Sequence, residues 1–379
     1  MKIMILYASY GDGHLQAARA ISEAIVDRGL GEPLLVDLLA EAHPWINAVT
    51  RRVYMRSYSL IPGLYGWLYD RTKPMKHDSV FAIWLHSFGR GRLRRILERE
   101  RPDAVIHTFP LLAMPALKKR TGLRIPTCTV VTDFDLHRRW VHPDIDRYYV
   151  PTEDMKKELH ALGISGRRIC VSGIPIRRGF RSASVDPEQC ARFGFRIGSP
   201  VVLVMAGAQA TVSGVSAMIS PLFGYPDLTV AVVCGRNAAL ASSLPEQFGE
   251  AGAEGRLRVF GYVEAMHELM AQAACIVTKS GGVTLAESLS LDLPIFVYRP
   301  VPGQERNNAR FLEGKGAARI TETPEQLTQE IVQLLHDPVL RMQHAIRARK
   351  FRFRDSAVTV ALDFCTGLPI TRRTSVRQS

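Results

Sequence analysis

Between Ala274 and Leu312 the chain alternates in a way that few folds accommodate. An apolar run (Ala274 to Val277) leads into Thr278-Lys279-Ser280-Gly281-Gly282, and a helix-like segment then reaches Leu289. A second apolar run occupies Ile295 to Tyr298, and a polar loop opens at Pro300. Strand, glycine turn, helix, strand and polar loop in that order describe a parallel α/β unit. Adjacent glycines permit φ > 0 at the turn, and the first amides of the helix have no partner within it. Those N–H groups and the positive helix end suit a diphosphate, which makes Ser280, Gly281, Gly282, Val283 and Thr284 a candidate phosphate turn. Thr284 adds a hydroxyl, and Glu287, about one turn further in, can accept from a ribose diol. Gln304, Glu305 and Asn308 follow the next strand, where open α/β sheets present ligand groups. Ser-Gly-Gly before a helix is equally a plain turn, so the phosphate reading rests on its pairing with Gly-Gln-Glu and Asn downstream.

The same alternation recurs along the chain. Lys2 to Ala8, Pro102 to Ile106, Pro126 to Val131, Tyr148 to Val150 and Ile169 to Gly173 read as strands of one half. Pro200 to Met205, Thr229 to Val233 and Arg258 to Val263 join the stretch above in the other. The expected fold class is α/β, with two doubly wound Rossmann-like domains facing a cleft. The expected boundaries are a first domain over 1–181, a linker over 182–199 rich in Ser, Gly and Pro, a second domain over 200–340, and a helical segment with a loose tail over 341–379. After the first strand comes Gly11-Asp12-Gly13-His14, a histidine at a strand-to-helix turn. Its near-neutral pKa suits it to take a proton from an acceptor hydroxyl, although a surface or structural histidine is the plainer reading. Asp133-x-Asp135 resembles a metal-binding carboxylate pair, and it is read as coincidence because a helix N-terminus already serves the diphosphate.

The chain has 379 residues, enough for two α/β cores. Its 46% hydrophobic and 22% charged content is that of an ordered water-soluble protein. No apolar run approaches the roughly 20 residues of a membrane-spanning helix. Met1 to Tyr10 reads as a first strand and not a signal peptide, so a cytoplasmic chain is expected. Six scattered cysteines without a Cys-x-x-Cys pair argue against a zinc cage or a disulfide framework.

The formal net charge of +13 is unevenly placed. Residues 45–97 hold ten Arg and Lys against two Asp, a local charge of +8, together with Trp45, Trp67 and Trp84. Interleaved rings and basic side chains, among them Arg51, Arg52, Arg56, Arg71, Lys73 and Lys76, fit three situations. They suit a solvated face over an aromatic core, a monotopic membrane face, or a nucleic-acid surface.

The residues Pro302-Gly303-Gln304-Glu305-Arg306-Asn307-Asn308 resemble the Pro-Gly-Gln-Glu-x-x-Asn loop of a glycosyltransferase family. That family contains the plant monogalactosyldiacylglycerol synthases, the bacterial processive diacylglycerol glucosyltransferases and the lipid-linked N-acetylglucosaminyltransferase of peptidoglycan synthesis. Gly11 to Ala18 matches its Gly-x-Gly-His-x-x-Ala-Ala motif, and Asp133, Phe134, His137 and Trp140 match a further loop. The resemblance runs from Leu6 to about Ile320, and the bacterial diacylglycerol glucosyltransferase branch is the nearest.

The resemblance implies the GT-B architecture, with the last helix returning to the first domain. It implies an inverting UDP-sugar-dependent hexosyltransferase that moves a hexose, glucose by preference, to diacylglycerol in one or successive rounds. Galactose transfer to diacylglycerol and N-acetylglucosamine transfer to a polyprenyl-type lipid are the alternatives, and a non-catalytic UDP-sugar-binding regulator is the reading from a different class. His14 and Asp133 compete for the role of base, with Gly13, His137 and Trp140 on the acceptor side. Arg236, Phe260, Gly261, Tyr262 and Val263 are assigned to uridine, Gln304 and Glu305 to sugar hydroxyls, Glu287 to the ribose, and Gly207 to phosphate or sugar. Neither a cofactor nor a metal is expected, because the UDP-sugar is a substrate. The expected partners are that donor, diacylglycerol and an anionic membrane surface met by residues 45–97, with no nucleic acid. The expected location is peripheral, on the inner face of the cell membrane.

Overall fold

The apolar runs that end in a polar or glycine turn become parallel strands, and the inner strands of each sheet are buried on both faces. The computed structural model describes residues 1–9, 12–42, 62–76, 78–79, 89–110, 112–196, 198–207, 209–249 and 254–368. Gly11, Trp45, Arg51, Arg52, Arg56, Trp84 and the tail from 369 lie outside the described residues.

The first sheet is built from β1 (Lys2–Tyr7), β2 (Glu32–Asp37), β3 (Ala104–His107), β4 (Thr127–Val130), β5 (Arg147–Val150) and β6 (Ile169–Val171), in the order β2-β1-β3-β4-β5-β6. The second comprises β7 (Val201–Met205), β8 (Thr229–Val233), β9 (Leu257–Phe260), β10 (Cys275–Thr278), β11 (Ile295–Tyr298) and β12 (Arg319–Thr321), ordered β12-β11-β10-β7-β8-β9. In each sheet the chain lays its first strands outward in one direction and then returns to build in the other. The reversal falls between β1 and β3 in the first sheet and between β7 and β10 in the second. Helices diverge to opposite faces at such a point, which opens a crevice at the carboxyl ends of the strands.

The helix Asp12–Asp27 buries Ala17, Ala18, Ala20, Ile21, Ala24 and Ile25. Small side chains on that face let it lie close to β1 and still accept a neighbour. That neighbour is the helix Ser356–Thr366, whose Ala357, Val360, Ala361 and Phe364 join the same core. The preceding helices Pro324–His336 and Pro338–Arg349 belong to the second domain, and Phe351 meets the Phe311 ring edge-on at 5.9 Å. The chain therefore crosses back at 350–355, later than residue 341. Within 182–199 there is a short helix, Pro187–Arg192, and Phe193 and Phe195 behind it pack against Phe260. Much of that stretch is thus part of the second domain's core rather than a bare connector.

The returning helix is fixed by a carboxylate. Asp363 accepts from Arg147 Nε and Nη2 at 2.9 Å each and from the Tyr149 hydroxyl at 2.6 Å. Tyr149 is buried, so its hydroxyl has no water to fall back on. Asp363→Ala should lower stability by about 1–2 kcal/mol, the scale of a lost hydrogen-bonded charge pair screened on its outer side. A thermal melt would read this as a fall of a few degrees, while Leu362→Ala, one residue away and more exposed, should change little.

Candidate active site

Both crevices carry the residues that chemistry would use. In the first sheet, His14 follows β1 and Thr108 follows β3, the two strands that flank the reversal. His14 Nδ1 lies 2.8 Å from the Thr108 carbonyl oxygen and 2.9 Å from the Thr132 hydroxyl. A carbonyl accepts only, so Nδ1 carries the proton and Nε2 is the basic nitrogen. The ring meets Phe109 edge-on at 4.9 Å and Trp140 at 6.2 Å. Burial lowers the His14 pKa, opposed by the Asp133 charge and the Thr108 carbonyl, so at neutral pH the ring is an uncharged base. Gly13 stands against the second domain, where a Cβ on it would be 3.5 Å from Val283 Cγ2.

Asp133 follows β4 and reaches across to the second domain. Its Oδ1 accepts from Gln304 Nε2 and, at 3.2 Å, from Asn308 Nδ2. Burial raises its pKa, against the pull of His14 and these two amides. Asn308 is 0% exposed, and its Oδ1 accepts from the Phe134 and Asp135 amides at 2.8 and 3.1 Å. Its Nδ2 also donates to the Ser280 carbonyl at 3.1 Å. Asn308 is therefore a seam between the domains and has no donor or acceptor left for a sugar. Asp135 binds Lys73 Nζ at 2.6 Å and Asn307 Nδ2 at 3.1 Å. Among the described residues no group of three or more His, Cys, Asp or Glu is arranged to hold a metal ion.

Two acceptor-side assignments change. His137, 2% exposed, caps a 3₁₀ turn by accepting from the Arg139 amide at 3.1 Å and meets the Thr72 hydroxyl at 3.3 Å. Burial with nearby Arg139 and Lys73 drives its pKa down to about 3. It pins the loop to the helix Pro62–Thr72 and is not presented to an acceptor. Trp140, 1% exposed, belongs to a core cluster with Leu136, Ile145 and Tyr148, and acts on the site only through the wall it gives His14.

In the second sheet, Gly207 follows β7 and Lys279 to Gly282 follow β10, again the strands flanking the reversal. Gly207 has φ +77°, a conformation that favours glycine, and a Cβ there would be 3.6 Å from Lys279 Cε. Gly281 has φ −67° and caps the helix Gly282–Ser290, so the expected positive-φ turn is absent at this glycine pair. Gly282 is required for a different reason: a Cβ on it would overlap the Thr132 carbonyl oxygen of the facing domain. Beside Gly281 that space is open. Leu285 makes the first intrahelical bond, to the Gly281 carbonyl, so the helix itself does not use the amides of Gly282, Val283 and Thr284. The Ser280 hydroxyl, fully buried, donates to the Glu305 carbonyl at 2.7 Å, which takes it out of the phosphate set.

Glu287 is buried, and its Oε1 accepts from Arg177 Nε and Nη2 at 3.1 and 3.0 Å. Burial raises its pKa and the Arg177 charge opposes this. Arg177 comes from the end of the first domain and stacks on Phe180 at 5.2 Å. Sequence reasoning missed it, although it directly follows the strand-like Ile174-Pro175-Ile176 and is a cation at a domain exit. Arg236 lies 5.6 Å over the Tyr262 ring, which is 63% exposed, and together they form an open flat platform. Gly261 lies beside the Gly235 carbonyl oxygen. Phe260 turns its ring into Phe193 and Phe195, and its carbonyl accepts from Cys234 N at 2.8 Å, so it supports the platform from behind. Val263 packs against the same core.

Comparison with known proteins follows this division. The monogalactosyldiacylglycerol (MGDG) synthase family model matches residues 14–176, and that of the glycosyltransferase family 28 C-terminal domain matches residues 201–360. A processive diacylglycerol beta-glucosyltransferase of Bacillus cytotoxicus is 38% identical over 350 residues, 91% of this chain and 89% of that one. The protein of the same name from Bacillus cereus is 38% identical over 92% of this chain and 89% of its own. The crystal structure of Acinetobacter baumannii MurG shares the fold, with a TM-score of 0.60 at 15% identity, covering 97% of this chain and 100% of that one. The chain belongs to the glycosyltransferase family of the processive diacylglycerol beta-glucosyltransferases.

Proposed function

We propose that this protein transfers a hexose, glucose by preference, from its UDP ester to the hydroxyl of diacylglycerol, inverting the anomeric centre and giving a β-glycosyl lipid in one or successive rounds. The observation that carries this reading is the contact of Gly282 with Thr132 and Asp133, which brings a histidine base and a helix N-terminus to one cleft. The acceptor oxygen attacks C1 from the face opposite the diphosphate while its proton passes to His14 Nε2. The C1–O bond to UDP breaks with its electron pair, and the charge that develops is met by the Gly282, Val283 and Thr284 amides. The imidazolium left on His14 is stabilised by the charge of the nearby Asp133 carboxylate, while its Nδ1–H stays on the Thr108 carbonyl. Glu287, held by Arg177, takes the ribose diol, and the Arg236–Tyr262 platform takes the uracil. Gln304 and Glu305 face the hexose. Neither a cofactor nor a metal is assigned a part.

Access to a membrane lipid fits the surface of the helix Pro62–Thr72. Trp67 is 59% exposed, Leu68 lies beside it, and Arg71 sits over the indole at 5.9 Å. No helix among the described residues is long and apolar enough to cross a membrane. A ring and a cation side by side on an exposed helix suit the boundary of an anionic bilayer, here the inner face of the cell membrane.

Anionic liposomes containing diacylglycerol, offered labelled UDP-glucose, UDP-galactose and UDP-N-acetylglucosamine, should yield labelled glucosyl-diacylglycerol. Binding of UDP without product from any donor would overturn the proposal. His14→Ala should lower kcat by about 10²–10⁴ with UDP affinity kept. Catalysis requires His14 neutral and Asp133 ionised. The lowered pKa of the first and the raised pKa of the second make the acid limb of the rate profile a property of the His14–Asp133 pair, with the rate lost as pH falls through it. Arg177→Ala frees the Glu287 carboxylate to protonate or turn, and should raise the KM for UDP-hexose about tenfold, the scale of a lost hydrogen bond to a charged group. Trp67→Ala with Arg71→Ala should weaken sedimentation with anionic liposomes and leave it unchanged with neutral ones.

A further inference from the structure

Gln304 and Asn308 belong by sequence to the donor loop, yet both amide nitrogens reach the acceptor-side carboxylate. Gln304 Nε2 and Asn308 Nδ2 fall on the same oxygen, Asp133 Oδ1. Asn307, in the same helix, makes the parallel bond to Asp135. Asp133 is buried and follows Thr132, whose hydroxyl touches His14. A carboxylate out of water keeps its charge only where donors and a cation compensate for lost hydration. Here the donors come from the opposite domain. Asn308 also serves three other groups, whereas Gln304 is half-buried and its nitrogen has Asp133 as its described partner.

The geometry points to Gln304 as a positioning residue for Asp133, holding Oδ1 so that the carboxylate keeps its charge and orientation beside His14. This is separate from contact with the donor hexose, and it rests on the proposed transfer with His14 as base. The consequence is that the loop that faces the sugar also prepares the acceptor side. Asp133 is ready for catalysis only while the donor loop is seated across the domain seam.

Gln304→Ala and Asp133→Asn, singly and together, test this. Gln304→Ala should lower kcat about tenfold, the scale of one hydrogen bond to a charged group, and move the acid limb of the pH profile upward as Asp133 becomes harder to ionise. Added to Asp133→Asn, it should cost less than about a further twofold, because no charge remains to be held. Losses that multiply, with a raised KM for UDP-hexose and an unshifted pH profile, would overturn the proposal and leave Gln304 a sugar ligand alone. A second readout needs no turnover. With aspartate carboxyls labelled with carbon-13 and Asp133 assigned by its loss in Asp133→Asn, the Asp133 resonance should titrate at higher pH in Gln304→Ala than in the parent protein. An unchanged titration would also overturn it. If the parent protein transferred no hexose while this titration still moved, the positioning role would stand and the proposed reaction would fall.

Discussion

The amide of Asn308 uses all four of its hydrogen-bonding positions at the seam between the two sheets. Its oxygen takes the Phe134 and Asp135 amides, and its nitrogen reaches Asp133 and the Ser280 carbonyl. A buried primary amide so satisfied is worth keeping, because any replacement leaves several polar groups without water or partner. An aspartate would supply the acceptors and lose the donors. A leucine would lose both. This one side chain ties the turn after β10, the loop after β4 and the donor-side helix, and the cleft geometry depends on all three.

The two halves solve the same problem in the same way. In each sheet the order reverses between two adjacent strands, and the loops after those strands make the crevice. In the first sheet the crevice holds a histidine whose one nitrogen is committed to a carbonyl. In the second it holds a helix N-terminus beside a glycine with φ +77° and a lysine chain. The proposed transfer divides between them accordingly, with proton uptake on one side and leaving-group charge on the other. Gly282 has no side chain because the opposing backbone occupies the place of its Cβ. The glycine pair is thus explained by contact between domains and not by the tight turn that the sequence suggests.

The candidate site positions that were legible and those that were not differ in a physical way. His14, Glu287 and the first amides after Gly281 follow from strand-to-helix turns, which are local in sequence. Ser280 and Asn308 were assigned to ligand contact from their place after strands, and His137 and Phe260 from the family resemblance. Each has a partner far along the chain: Ser280 for Asn308, Glu305 for Ser280, Thr72 for His137 and Phe193 for Phe260, at separations of 28, 25, 65 and 67 residues. Arg177 escaped notice for the same reason, since its partner Glu287 is 110 positions distant.

By itself the sequence determined the class of fold, the two halves and the positions of their turns, because apolar periodicity and glycine placement act over a few neighbouring residues. It also determined the family, through three short stretches whose residue types and spacing are retained. Only the tertiary structure decided which polar side chains hold the protein together and which are available to substrate. Whether an amide, hydroxyl or imidazole is already satisfied depends on groups brought beside it from the other domain, and that information resides in the packing of the seam.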